Sequence, residues 1–265
     1  MLENASLRRW GQLALPLVLP VVLLSAVAGA YLLPSGAIVR RMGDARDEQG
    51  AITLRVEGTV ALFGEAAHGV ASSLKLHNER PEVQVDAVFS LKSPGRCRIE
   101  LSAPTGLRIA AVQNGGRRRV EGEVPQSPQV LQVLQVLTEE LCSLLATRGG
   151  EGGSRGVVER HLGALRIQPR LVALGRVSRE VTYILGDPAA GQPQLWIYKD
   201  TFFPARLTFS DAQGTSWDLR LSDFGSSVTG SWAPRVVELH RAGALVLRFT
   251  ALKADSPVAL ADRLF

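Results

Sequence analysis

Few side chains in this 265-residue chain are placed to do covalent or metal chemistry. The four histidines, His68, His77, His161 and His240, are scattered, and neither Cys97 nor Cys142 has a CxxC partner, so no zinc-ligand spacing arises. Cys97 stands among residues that alternate as in a strand, and no histidine lies near it in sequence to activate a thiolate. The two cysteines therefore read as a disulfide or as two separate buried thiols, and both readings stay open. Asp86 and Glu100 fall on the polar side of alternating segments, where they are solvated rather than paired as acid and base. There is no GxSxG elbow and no phosphate loop ending in Gly-Lys-Ser/Thr; the glycine-rich run 149–156 has the wrong spacing and follows no strand. Arg117, Arg118 and Arg119 form one short basic cluster without interleaved aromatics, which reads as a solvated turn and argues against nucleic acid. No catalytic residue, metal or cofactor is expected.

The N-terminus carries a different kind of signal. Arg8 and Arg9 precede an uncharged stretch, 11–39, whose centre at 13–24 is almost wholly apolar, the layout of an export sequence. Overlapping Ala-x-Ala sites end at Ala28 and Ala30, and cleavage is expected after one of them. The alternative is an uncleaved anchor, because the stretch exceeds the ~20 residues needed to span a bilayer, although Pro16 and Pro20 weaken a continuous helix. No cysteine follows the run, which closes the acyl-anchored route. The chain thus divides into a signal over 1–30 and a domain over 38–265, in the periplasm, or anchored at the inner membrane if the signal stays. The formal charge of +5 is mild.

Beyond the signal, apolar and polar residues alternate at period two, the mark of half-buried antiparallel strands. Ile52, Leu54 and Val56 start the pattern. Val83, Val85, Ala87, Phe89 and Leu91 continue it, and after Pro94-Gly95 come Cys97, Ile99 and Leu101, a hairpin. Further strands are expected at 106–113, 117–123, 177–185, 194–199, 205–210, 216–224, 234–240 and 245–251. Between them, Val130, Leu131, Leu134, Leu137, Leu141, Leu144 and Leu145 recur at helical spacing over 128–147, with Pro128 at an early helical position. A second helix is expected near 61–78, a polar loop through Gly156, and a last short turn at 256–264. Trp196, Tyr198, Phe202, Phe203, Phe209, Trp217, Phe224 and Trp232 crowd one third of the chain, either lining a pocket or packing the sheet.

In this frame the chain resembles the LolA/LolB-like family of periplasmic lipoprotein-binding proteins over most of 56–265. The resemblance rests on Leu91-Lys92-Ser93-Pro94-Gly95-Arg96-Cys97-Arg98-Ile99-Glu100 followed by Ala103-Pro104. It continues in Leu195-Trp196-Ile197-Tyr198-Lys199-Asp200, Phe203-Pro204-Ala205-Arg206-Leu207 and Leu221-Ser222-Asp223-Phe224. The cysteine pair and the glycine-rich insertion depart from the family pattern. The resemblance implies a mainly β (α+β) fold, a curved antiparallel sheet forming an incomplete barrel, covered by a few helices around a hydrophobic cavity. It also implies a carrier that holds lipid or lipoprotein acyl chains, loaded by an inner-membrane transport complex and unloaded at an outer-membrane acceptor. An envelope sensor or regulator, or an anchored structural subunit, are the alternatives on the same fold.

Val85, Phe89, Ile99, Leu101 and Ile109 fall on apolar strand faces, and Leu134, Leu137 and Leu141 on one helix stripe. A filled core looks the same in sequence; the resemblance makes these residues the cavity lining. On that reading Leu137→Glu abolishes fatty-acid binding at little cost in stability.

Overall fold

The computed structural model describes residues 32–48, 52–77, 80–145, 154–230, 233–256 and 258–265. The expected export segment through Ala30, most of the glycine-rich run and Trp232 lie outside them. Twelve strands form the sheet: β1 (Thr53–Phe63), β2 (Glu82–Lys92), β3 (Arg96–Ser102), β4 (Arg108–Asn114), β5 (Arg117–Gly122) and β6 (Val172–Val177) come first. β7 (Glu180–Leu185), β8 (Gln194–Tyr198), β9 (Pro204–Ser210), β10 (Ser216–Ser222), β11 (Val236–Arg241) and β12 (Ala244–Asp255) complete it. The spatial order is β5-β4-β3-β2-β1-β12-β11-β10-β9-β8-β7-β6. Each half meanders, and the halves join where β1 pairs antiparallel with β12. β5 and β6 end the sheet at opposite edges, so it does not close into a barrel.

Period two decides which face is buried. Along β1 every second residue from Leu54 to Leu62 is buried, and along β2 Val83, Val85, Ala87, Phe89 and Leu91 all point to the same inner face. Helices cover that face: α1 (Ser35–Asp47), α2 (Gly64–Ser73), a lid built of α3 (Pro128–Val136), a π-helical turn (Leu137–Leu141) and α4 (Cys142–Leu145), and α5 (Ser154–Ala164). The lid starts as its sequence dictates: the Ser127 side chain accepts from the Val130 N–H, and Pro128 occupies the first turn, where no donor is missed. Gly69 of α2 lets the lid approach, since a Cβ there would meet Val130 Cγ2 at 2.6 Å.

The outer face of the first half is covered by the tail. Val258, Leu260, Leu264 and Phe265 pack with Val112, and Asp262 accepts from Lys92 and Arg96, both at 2.6 Å. Asn114 and Arg119 donate to the Phe265 main-chain oxygen at 3.1 and 2.8 Å. Arg98 bridges Glu100 and Glu121; hydrogen bonds from Arg98, then Arg119, hold the Glu121 carboxyl below the usual range. Arg119 thus fastens the tail instead of standing on a solvated turn.

Several elements differ from the sequence expectations. Ala61, Leu62 and Phe63 extend β1, so the expected helix at 61–78 begins only at Gly64. The strand expected at 177–185 is β7, beginning only at Glu180 after a turn at Ser178 and Arg179 with Ser178 at a φ of 55°, and its partner β6 was not expected. α1 was hidden because its residues 35–39 read as the end of the uncharged run; Ile38, Val39 and Met42 are in fact core residues. The polar loop expected through Gly156 gives way to α5 at Ser154.

Candidate functional site

At the middle of the inner face the register aligns small residues. Gly58 pairs with Ala87 of β2 on one side and Ala251 of β12 on the other, and Ala87 in turn pairs with Leu101. The neighbouring rows are large: Ile99, Phe89 and Val56 on one side, Val85, Val60, Phe249 and Val237 on the other. A trough results. Glycine is required at position 58, because a Cβ there would stand 2.2 Å from the Thr250 carbonyl oxygen and 2.9 Å from Phe249 Cε2, atoms that already cover it.

The lid closes over this trough. In the π turn the i→i+5 bonding widens the helix, so that Leu137, Leu141, Cys142 and Leu145 all reach the sheet side, each 5% exposed or less. Cys142 is joined to Cys97 of β3 by a disulfide, with the Cα atoms 6.1 Å apart. Arg46 of α1 is buried and donates to the Leu145 carbonyl oxygen, placing a cation at the C-terminal end of the lid. Burial pushes the Arg46 guanidinium down to about 9. Two contacts brace the outer side: an ion pair of Arg118 of β5 with Glu139, and a hydrogen bond between His161 Nε2 of α5 and the buried Glu140 carboxyl at 2.7 Å.

Between lid and trough lies a void of about 40 Å³, widening to about 500 Å³ of unoccupied space when its open mouth is counted. Its lining is wholly apolar: Leu54, Val56, Val60, Ala87, Phe89 and Ile99 from the first half, Val237, Leu247 and Phe249 from the second, Leu137, Leu141 and Leu145 from the lid, and Ala233 and Pro234 from the loop before β11. Water there would find no side-chain hydrogen-bond partner. Phe89, Ile99, Leu137 and Leu141, named from sequence, meet at this void. Val85, Leu101, Ile109 and Leu134 do not line it; they are buried in the surrounding core, where Leu101 pairs with Ile109 and Leu134 lies one helical turn before Leu137. Leu137 is only 3% exposed, and a carboxylate there would be sealed in apolar surroundings; the small stability cost expected for Leu137→Glu therefore becomes about 3 kcal/mol or more.

Sequence reasoning missed the trough and the braces. Gly58, Phe249, Arg46 and Glu140 act through partners distant in the chain. The aromatic-rich third does both: Tyr183 stacks on Phe202, Phe203 on Phe224, and Tyr198 meets Phe224 edge-on, whereas Trp196, Phe209 and Trp217 line a surface groove with Arg206 and Asp218. The Trp196 and Trp217 indole N–H groups donate to Gln194 and Asp211. Among the described residues no group of three or more His, Cys, Asp or Glu could hold a metal ion, and no helix is long and apolar enough to cross a membrane.

Neither family models nor curated proteins match the sequence. Among solved structures the chain is similar to a LolA superfamily protein from Nitrosomonas europaea, with a TM-score of 0.52 at 14% identity, over 88% of this chain and 98% of that one. A DUF1329 family protein from Desulfovibrio piger aligns with a TM-score of 0.49 at 13% identity, over 87% and 95%. An outer membrane lipoprotein-sorting protein domain from Vibrio parahaemolyticus aligns with a TM-score of 0.42 at 10% identity, over 86% and 94%. The first of these shows the fold, an open LolA-like sheet with helices over its concave side, in agreement with the resemblance carried by the sequence motifs.

Proposed function

We propose that this LolA-like sheet is a non-enzymatic binding protein of the bacterial envelope that holds an acyl chain of a lipid or lipoprotein between lid and trough. The observation that carries the reading is the void itself, lined by apolar residues of both halves of the sheet and of the lid. The closed void is too small for a chain. A chain enters by displacing the lid leucines, each methylene then contributing ~0.8 kcal/mol as it leaves water. The disulfide holds the lid to β3, so widening falls on the side of β11 and β12.

The test is organic extraction of protein purified without detergent, followed by mass spectrometry. Acyl lipid approaching one molecule per protein is the expected result. An empty extract, together with no uptake of added fatty acid, removes the carrier reading and leaves a structural domain. The intact mass of the same sample is expected to place the N-terminus after Ala28 or Ala30; an intact N-terminus in the membrane fraction makes the protein an anchored one.

A further inference from the structure

We infer that the open edge of β6 binds an extended, acidic segment of a partner protein as an added strand. β6 ends the sheet and pairs with β7 on one side only. The Gly186 N–H donates to the Leu171 carbonyl at 3.0 Å, and the register carries that bonded alternation on through Ala173, Gly175 and Val177. The N–H and C=O groups of Val172, Leu174 and Arg176 therefore point away from β7, and among the described residues no main chain meets them. An unpaired edge is ordinarily guarded by charge, proline or a covering segment. β5, at the opposite edge, follows that rule, with Arg117, Arg118 and Arg119 in a row and Arg119 tied to the tail. β6 does not: Leu174 at its middle is 47% exposed, and Leu171 just before it is 42% exposed. Leu174 pairs with the buried Tyr183, so a strand laid along β6 would cover Leu174 on a face that is already apolar.

Charge defines the occupant. Arg166, Arg170, Arg176 and Arg179 are all exposed, and no Asp or Glu occurs between the first and the last of them. Leu171 and Leu174 stand between Arg170 and Arg176, so the edge offers an apolar centre with cations at both ends. A second copy pairing along β6 would set these arginines against their own counterparts. A segment with an aliphatic centre and acidic flanks meets every feature: its main chain completes the ladder, its centre covers Leu174 and its carboxylates meet the arginines. No residue of β6 or β7 lines the void, so this edge works apart from the acyl-holding site.

Fluorescence anisotropy of a labelled eight-residue peptide, its valine and threonine centre flanked by glutamates, against the full chain with its disulfide intact tests this. The wild type is expected to bind it about tenfold more tightly than the same peptide N-methylated throughout its centre, which cannot pair as a strand, or with lysine for glutamate. Leu174→Pro removes an N–H that points away from β7 and leaves the β6–β7 bonds in place. It is expected to melt close to the wild type and to lose the preference for the unmethylated peptide. Arg176→Glu is expected to weaken the glutamate peptide about tenfold and to strengthen the lysine one. If Leu174→Pro does not fold, the comparison of methylated and unmethylated peptide on the wild type decides. Equal binding of those two, or no binding at millimolar peptide, overturns the inference, as does a wild-type dimer that Leu174→Pro dissolves.

Discussion

Replacing Cys97 and Cys142 together by alanine is expected to lower the unfolding free energy by about 4 kcal/mol, the chain-entropy value for a closed loop of this size. The bridge spans a sequence separation of 45 and encloses most of β3, all of β4 and β5, and the lid up to Cys142. In the oxidised protein those residues cannot wander freely from β3 when unfolded, which raises the unfolded state in free energy relative to the folded one. The folded lid would keep its packing, because Leu137, Leu141 and Leu145 remain, together with the Arg46 cap on Leu145 and the Glu140–His161 pair. Its ion pair offers little replacement, since Arg118 and Glu139 are partly exposed. A thermal melt reads the change as a drop of roughly 10 °C. A double variant that melts within about one degree of the wild type would show that packing alone holds the lid.

Gly58→Val has the second large effect, a loss of about 3 kcal/mol or more in chemical denaturation together with loss of the void. The new Cβ falls 2.2 Å from the Thr250 carbonyl oxygen, a backbone atom that cannot rotate away, so β1 and β12 must part at the seam joining the two halves of the sheet. The Phe249 ring at 2.9 Å is pushed into the trough at the same time. Gly116→Ala is the control, since nothing lies within 4 Å of its added Cβ, and a change below about 0.5 kcal/mol is expected there. If Gly58→Val melts like the control, the close approach of β12 to β1 is not a feature of the folded protein.

These two predictions differ in how early they could be read. The cysteines stood out by type, and their neighbours Ile99, Leu101, Leu141 and Leu145 were legible as one strand face and one helix stripe, because period two and a three-to-four spacing are local properties. Gly58 was not legible. In Val56-Glu57-Gly58-Thr59-Val60 it reads as an ordinary strand position, and its role appears only when β12, nearly two hundred residues later, supplies Ala251 and Phe249 opposite it. The same reason explains why Val85, Leu101, Ile109 and Leu134 were expected at the void and lie outside it: alternation gives the face, but the register between strands decides where that face is hollow. α5 escaped because Gly156 and Gly163 interrupt a short pattern of which Leu162 is the fully buried residue.

The central claim, that an acyl chain lies between lid and trough, is tested most directly by photolabelling the full chain with a sixteen-carbon fatty acid bearing a diazirine near its terminal carbon. Sequencing of the labelled peptides is expected to place the adduct on Phe89, Leu137, Leu141 or Phe249, and competition with unlabelled fatty acid is expected to remove it. Labelling confined to the outer face of the sheet, or labelling that unlabelled fatty acid does not reduce, would contradict the account.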